Sequence, residues 1–122
     1  MEYDLHLYPD YIEALVVGEF DLEVGKRCID EAFELCEKHG LSRVLVNGSR
    51  MSNNVSVSSR FNLGEYLAAR APVRVRVAIL TSTKLVKQSK ALQNTANNRG
   101  ANVITTDSME DAKAFLGVLD ES

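Results

Sequence analysis

The alternation of apolar and polar positions divides the chain into short, distinct segments. In residues 3–8, Tyr3, Leu5 and Leu7 point one way and Asp4 and His6 the other, which predicts a half-buried strand. Pro9-Asp10 is a turn signal, and the β-rich stretch 11–19 follows closely enough to predict a hairpin. Asp21 is placed as a helix N-cap, Cys28, Ile29, Ala32, Phe33 and Cys36 recur at helical spacing, and Gly40 stands where a C-terminal glycine belongs. Residues 43–47 (RVLVN) predict a short strand, and the polar stretch from Asn47 to Ser58 predicts a loop. A helix is expected over 58–70, with Gly64 as its weak point and Pro72 behind it. Over 73–80, Val73, Val75, Val77 and Ile79 form one face of a strand and Arg74 and Arg76 open the other. Leu85, Ser89, Leu92 and Ala96 predict a helix over 84–99, and residues 102–106 (NVITT) a last strand. Ser108-Met-Glu-Asp111 resembles a capping box that opens a helix with Ala112, Phe115, Leu116 and Leu119 on one face.

The order is β-β-α-β-α-β-α-β-α. Strands that alternate with helices pair in parallel through right-handed crossovers, so the antiparallel pair is the opening hairpin. A sheet buried on both faces has near-continuous apolar strands. Here Asp4, His6, Glu13, Arg43, Arg74 and Arg76 occupy alternate positions, so one face should be packed and the other at least partly wet. Both arguments predict an α/β fold over residues 1–122. It has a single five-stranded, mostly parallel sheet in the order 1-2-3-4-5, strand 1 antiparallel, with about four helices mainly on one face.

Composition adds limits. The chain has 122 residues, 45% hydrophobic and 25% charged, which is one domain with material for a core. No apolar run approaches a bilayer span, and the acidic opening MEYDLHLYPD has no basic n-region, so a cytoplasmic protein is expected. The formal net charge of −3 hides a split: residues 1–40 carry −8, residues 41–105 carry +9 and residues 106–122 carry −4. With no basic run and little aromatic interleaving, the split argues against nucleic acid and for acidic and basic segments meeting, within one chain or between two. Cys28 and Cys36 lie about 12 Å apart along a helix, too far for a disulfide, and read as reduced core residues. With two histidines they make no metal-ligand cluster, so no metal or other cofactor is expected.

The opening hairpin, Arg43-Val-Leu-Val-Asn47 before a polar loop, Val77-Ala-Ile-Leu80 and the Ser108 to Leu116 helix, in that order and spacing, resemble the STAS-like domains. These have the anti-anti-sigma-factor fold, and the chain looks most like their uncharacterised SpoIIAA-like bacterial branch. The resemblance implies a regulatory domain that binds a protein partner. It also implies a switch serine just after the third strand, in an Asp-Ser-Ser/Thr-Gly stretch. That stretch is absent here: the segment reads Asn47-Gly-Ser-Arg-Met-Ser-Asn-Asn54, so Ser49 and Ser52 are candidates by position alone. Related members imply a further option, a small-molecule or lipid-like pocket.

Ligands of open α/β sheets favour the carboxyl ends of the strands. Three hydroxyl-rich loops should meet there, offering Asn47, Ser49, Arg50 and Ser52, then Thr81, Ser82, Thr83 and Lys84, then Asp107 and Ser108. Helix N-termini beside such loops suit an anion or phosphate, although simple capping accounts for the same residues. On the wet face His6, Tyr8, Tyr11, Glu13, Arg74 and Arg76 form a candidate interface, within one chain or in a homodimer. Neither a nucleotide fingerprint nor an activated-serine elbow is present. The expected function is therefore non-enzymatic: binding of a protein partner or small anion at the strand ends. The alternative is a carrier or sensor of a small apolar ligand held between helices and sheet, with an enzyme a distant third.

Overall fold

A computed structural model describes residues 1–51, 56–70 and 74–118. One sheet runs in the order β1-β2-β3-β4-β5, with β1 Glu2–Leu7, β2 Ile12–Gly18, β3 Arg43–Met51, β4 Arg76–Leu80 and β5 Asn102–Thr106. β1 pairs antiparallel with β2, and the other described pairs are parallel. Helices α1 Leu22–His39, α2 Val57–Arg70 and α3 Val86–Asn98 connect the parallel strands, and α4 Met109–Leu116 follows β5. This is the expected sequential order: each right-handed crossover lays its strand on the same side of the one before.

Local chemistry sets the ends of α1. The Asp21 carboxylate accepts from Val24 N at 3.1 Å, and Gly40 takes the left-handed conformation at φ 65°. Between them Cys28, Ile29, Ala32 and Cys36 form the buried stripe. Ile12, Val44, Val77 and Val103 make one row across β2 to β5, and Ile29, Ala32, Leu67 and Leu92 close over it from α1, α2 and α3.

Three details differ from the sequence reading. First, β3 does not end at Asn47. It continues to Met51, with Val17 paired to Arg50 and Gly18 to Met51 after a register shift between Leu15 and Val17. The long β2 offers partners that the polar Asn-Gly-Ser composition conceals. Gly48 also suits this strand, because a Cβ there would lie 3.1 Å from the Leu80 carbonyl oxygen. Second, β4 begins at Arg76 and Arg74 stands in a turn, while Pro72 and Val73 lie outside the described residues. Third, α4 packs on the opposite face from α1, α2 and α3. Its Ala112 and Leu116 cover Leu45, Ala78 and Leu80. Among the described residues no strand follows α4, so crossover handedness does not place it. The apolar outer row Leu45, Ala78 and Ile104 does. The wet parts of that face are β1, β2, the end of β3 and the row of Arg76 and Asn102 at the amino ends of β4 and β5.

Among the described residues no helix is long and apolar enough to cross a membrane. None of their His, Cys, Asp and Glu side chains form a group that could hold a metal ion.

Candidate functional site

The carboxyl ends of β2, β3 and β4 open into a pocket between the sheet and helices α1, α2 and α3. Its volume is about 130 Å³. Small residues leave the space: Ala14 on β2, Gly25 and Ala32 on α1, and Gly48 on β3. Larger apolar side chains wall it, among them Phe20, Phe33, Leu63, Leu85 and Leu92. An apolar cavity of about 150 Å³ holds a benzene-sized molecule, so this one is built for a compact apolar group rather than a long chain.

Polar groups gather at the strand ends. Thr81 is buried and its N–H donates to Thr106 O at 2.8 Å. The Ser89 hydroxyl on α3 donates back to Leu85 O at 2.9 Å. Arg60, in the first turns of α2, is the one charged side chain on the wall among the described residues. Its Nη2 donates to the Gln88 Oε1 of α3 at 2.6 Å. Gln88 is neutral, and no carboxylate lies within ion-pair distance of Arg60 among the described residues, so its charge is unmatched. Cys28 also lines the pocket, and burial pushes its thiol up to about 12, so it stays protonated at neutral pH. Burial holds the Cys36 thiol at about 11.

The three expected loops are partly spent on their own structure. Asn47 Oδ1 accepts from the Ser49 hydroxyl at 2.7 Å and from Ser49 N at 3.2 Å, while its Nδ2 donates to Glu13 at 3.4 Å. Ser49 and Arg50 are exposed on β3, and Ser52 lies outside the described residues. Ser82, Thr83 and Lys84 form the turn before α3, with Leu85 N donating to Ser82 O at 3.0 Å. Thr106 Oγ1 accepts from Ser108 N, and Ser108 Oγ caps α4 by accepting from Asp111 N, each at 3.1 Å. Asp107 is exposed. Of the candidate residues in these loops, among the described ones, Thr81 reaches the pocket wall.

The candidate interface is also divided. His6 stands opposite Glu13 in the hairpin, and Tyr8 stacks on Tyr11 with ring centroids 4.8 Å apart. Arg74 precedes β4 and lines a surface cleft with Asp30, Glu34 and Glu37 of α1, away from the hairpin residues. Arg76 turns to α4 and donates to Phe115 O at 3.2 Å, a cation at a helix C-terminus. Among the described residues, none of the ion pairs found joins the acidic hairpin to the basic middle strands across this face. Ion pairs among the described residues include Lys26–Glu23, Arg70–Asp30 and Arg99–Glu65. The sequence reading offered an apolar pocket between helices and sheet but named none of the residues that build it, Arg60 and Ser89 among them. The signal for the pocket was the set of small residues at Ala14, Gly25, Ala32 and Gly48, on elements that pack face to face.

No family model matches the chain, and no curated protein is significantly similar to it in sequence. Among solved structures it is similar to the anti-sigma factor antagonist SpoIIAA in its unphosphorylated form. The TM-score is 0.58 at 13% identity, over 98% of this chain and 100% of that one. At this identity the likeness shows the fold, and the fold is the SpoIIAA-like, STAS-type one.

Proposed function

We propose that this chain is a non-enzymatic binding domain that takes a small amphipathic anion at the carboxyl ends of its strands. The apolar body enters the pocket and the anionic head meets Arg60. This reading joins the two sites expected from the sequence, a strand-end anion site and an apolar pocket under the helices. The observation that carries it is the unmatched Arg60 charge on an otherwise almost wholly apolar wall. A protonated Cys28 thiol in that wall suits storage or sensing rather than chemistry.

The test is a thermal-shift and titration panel of phenylacetate, benzoate and 2-phenylethanol, with native mass spectrometry of protein purified from its own host. Phenylacetate and benzoate should stabilise the protein more than 2-phenylethanol does. Arg60→Gln should weaken phenylacetate about tenfold and leave 2-phenylethanol unchanged, the usual scale of one charge-assisted contact. Ser89→Leu, which fills the mouth while giving up only a bond within its own helix, should weaken all three. Failure of every compound to bind, with nothing co-purifying, would sink the reading.

A second reading rests on Ser49. The matched protein is an anti-sigma factor antagonist described in its unphosphorylated form. Here Ser49 is exposed near the end of β3, its hydroxyl held by Asn47. A protein partner switched by phosphate at Ser49 predicts incorporation by a cognate kinase that Ser49→Ala abolishes. A folded protein that takes up no phosphate would count against it.

A further inference from the structure

The two edges of the sheet are finished differently. At β5 the outward backbone groups are all taken by side chains of α3. Asn97 donates to Val103 O at 2.9 Å and accepts from Val103 N at 2.8 Å. Gln93 Oε1 accepts from Thr105 N at 2.8 Å, and Lys90 donates to Thr105 O. No strand can add there.

At β1 nothing among the described residues does this. Tyr8 N donates to Tyr11 O at 2.9 Å, so Tyr8/Tyr11 is a hydrogen-bonded pair. Antiparallel pairs alternate, so His6/Glu13 and Asp4/Leu15 are also hydrogen-bonded pairs. The N–H and C=O groups of Tyr3, Leu5 and Leu7 therefore face outward, with no side chain of the described residues on them. Leu7 and Tyr8, at the end of this edge, are two of the large hydrophobic residues left exposed, at 51% and 40%.

We propose that β1 pairs antiparallel with β1 of a second copy about a two-fold axis at Leu5, joining the two sheets into one. Charge and parity select both occupant and register. Pairing centred on Leu5 engages Tyr3, Leu5 and Leu7 together, each facing Leu7, Leu5 and Tyr3 of the second copy. It sets Asp4 opposite His6 of the second copy, and His6 opposite Asp4, so both charge-bearing pairs are complementary. A shift of one step centres the axis on Asp4 and opposes two carboxylates. The opposite shift opposes two imidazoles. Exposed Leu7 would be covered by Tyr3 of the second copy. The unit Tyr-Asp-Leu-His-Leu is self-complementary about its middle residue, and a free strand edge is the place where that property has a use.

The experiment is a charge swap read by sedimentation and native mass spectrometry of the full chain. Wild type should self-associate. Asp4→Lys and His6→Asp, both at exposed positions, should each weaken self-association about tenfold or more. Mixing the two variants should restore a heterodimer, because Lys at position 4 then faces Asp at position 6, and His6 of one chain faces Asp4 of the other. Wild type that stays monomeric at about 100 µM overturns the proposal. So does a dimer indifferent to both substitutions, or a mixture that fails to recover. Circular dichroism of each variant separates lost pairing from lost fold.

Discussion

A methyl group at Gly64 of α2 would lie 2.9 Å from the Leu92 carbonyl oxygen of α3, and within 3.1 Å of two Thr95 side-chain atoms. The two helices touch at this glycine. The sequence reading took Gly64 as a weak point of its helix, but the contact makes it the reason that α2 and α3 pack closely. Gly64→Ala gains helix propensity of about 1 kcal/mol. It loses more to overpacking against backbone, typically about 1–3 kcal/mol. The expected net effect is destabilisation by up to about 2 kcal/mol, measured by urea denaturation. A more stable variant would show that the helices slide apart at little cost.

Gly25 of α1 gives the opposite sign. A Cβ there meets Phe20 at 3.4 Å and Leu63 at 3.7 Å, which is ordinary contact, in a helix interior where glycine is disfavoured. Gly25→Ala should stabilise the free protein by about 0.5–1 kcal/mol. It should also narrow the pocket and weaken phenylacetate. Gain in stability with unchanged binding would separate Gly25 from the ligand site.

Strand order and helix ends were legible in the sequence because they rest on local chemistry and handedness. Asp21, Gly40 and Ser108 cap the helices as their positions implied. Periodicity also separated the buried row from Glu13 and His6. The extension of β3 was hidden, since Asn47-Gly-Ser is turn chemistry until a long neighbour supplies hydrogen bonds. The position of α4 was hidden as well, because the Leu45 row reads as core without saying which helix covers it. The pocket was least legible. A cavity is missing volume summed over Ala14, Gly25, Ala32 and Gly48, which lie far apart in sequence, and no single position announces it. In the sequence Arg60 is one of the bases behind the +9 of residues 41–105. Only the approach of α2 to α3 aims it at a neutral partner.

The side chains that finish the β5 edge should matter for solubility as much as for stability. Asn97→Ala strips both groups of Val103 of their partners while leaving the α3 backbone intact. Half-buried groups left unpaired cost about 1–2 kcal/mol. The exposed edge should then promote concentration-dependent assembly. Light scattering across a concentration series and a urea melt should both move. A variant that melts earlier yet stays dispersed would confine Asn97 to a structural role.

The buried thiols give a pH dependence whose sign can be worked out. Cys28 is pushed up to about 12 and Cys36 to about 11, both by burial, while an unfolded thiol titrates near 8.5. Between these values the unfolded chain has released its thiol protons and the folded chain has kept them. The unfolded state then binds fewer protons, so stability falls as pH rises through about 9 to 11. Each thiol contributes at most about 1.4 kcal/mol per pH unit, and neither contributes below pH 8. Tyr3, raised to about 12 by desolvation and by its hydrogen bond to Glu31, adds to the loss only above pH 10. Cys36 sits away from the pocket wall, so Cys36→Ala should flatten the alkaline limb without changing ligand binding. Cys28→Ala should flatten it and enlarge the pocket. Urea midpoints at pH 7, 9 and 10 for wild type and both variants test this directly, and an alkaline slope that neither substitution reduces would assign the loss to other groups.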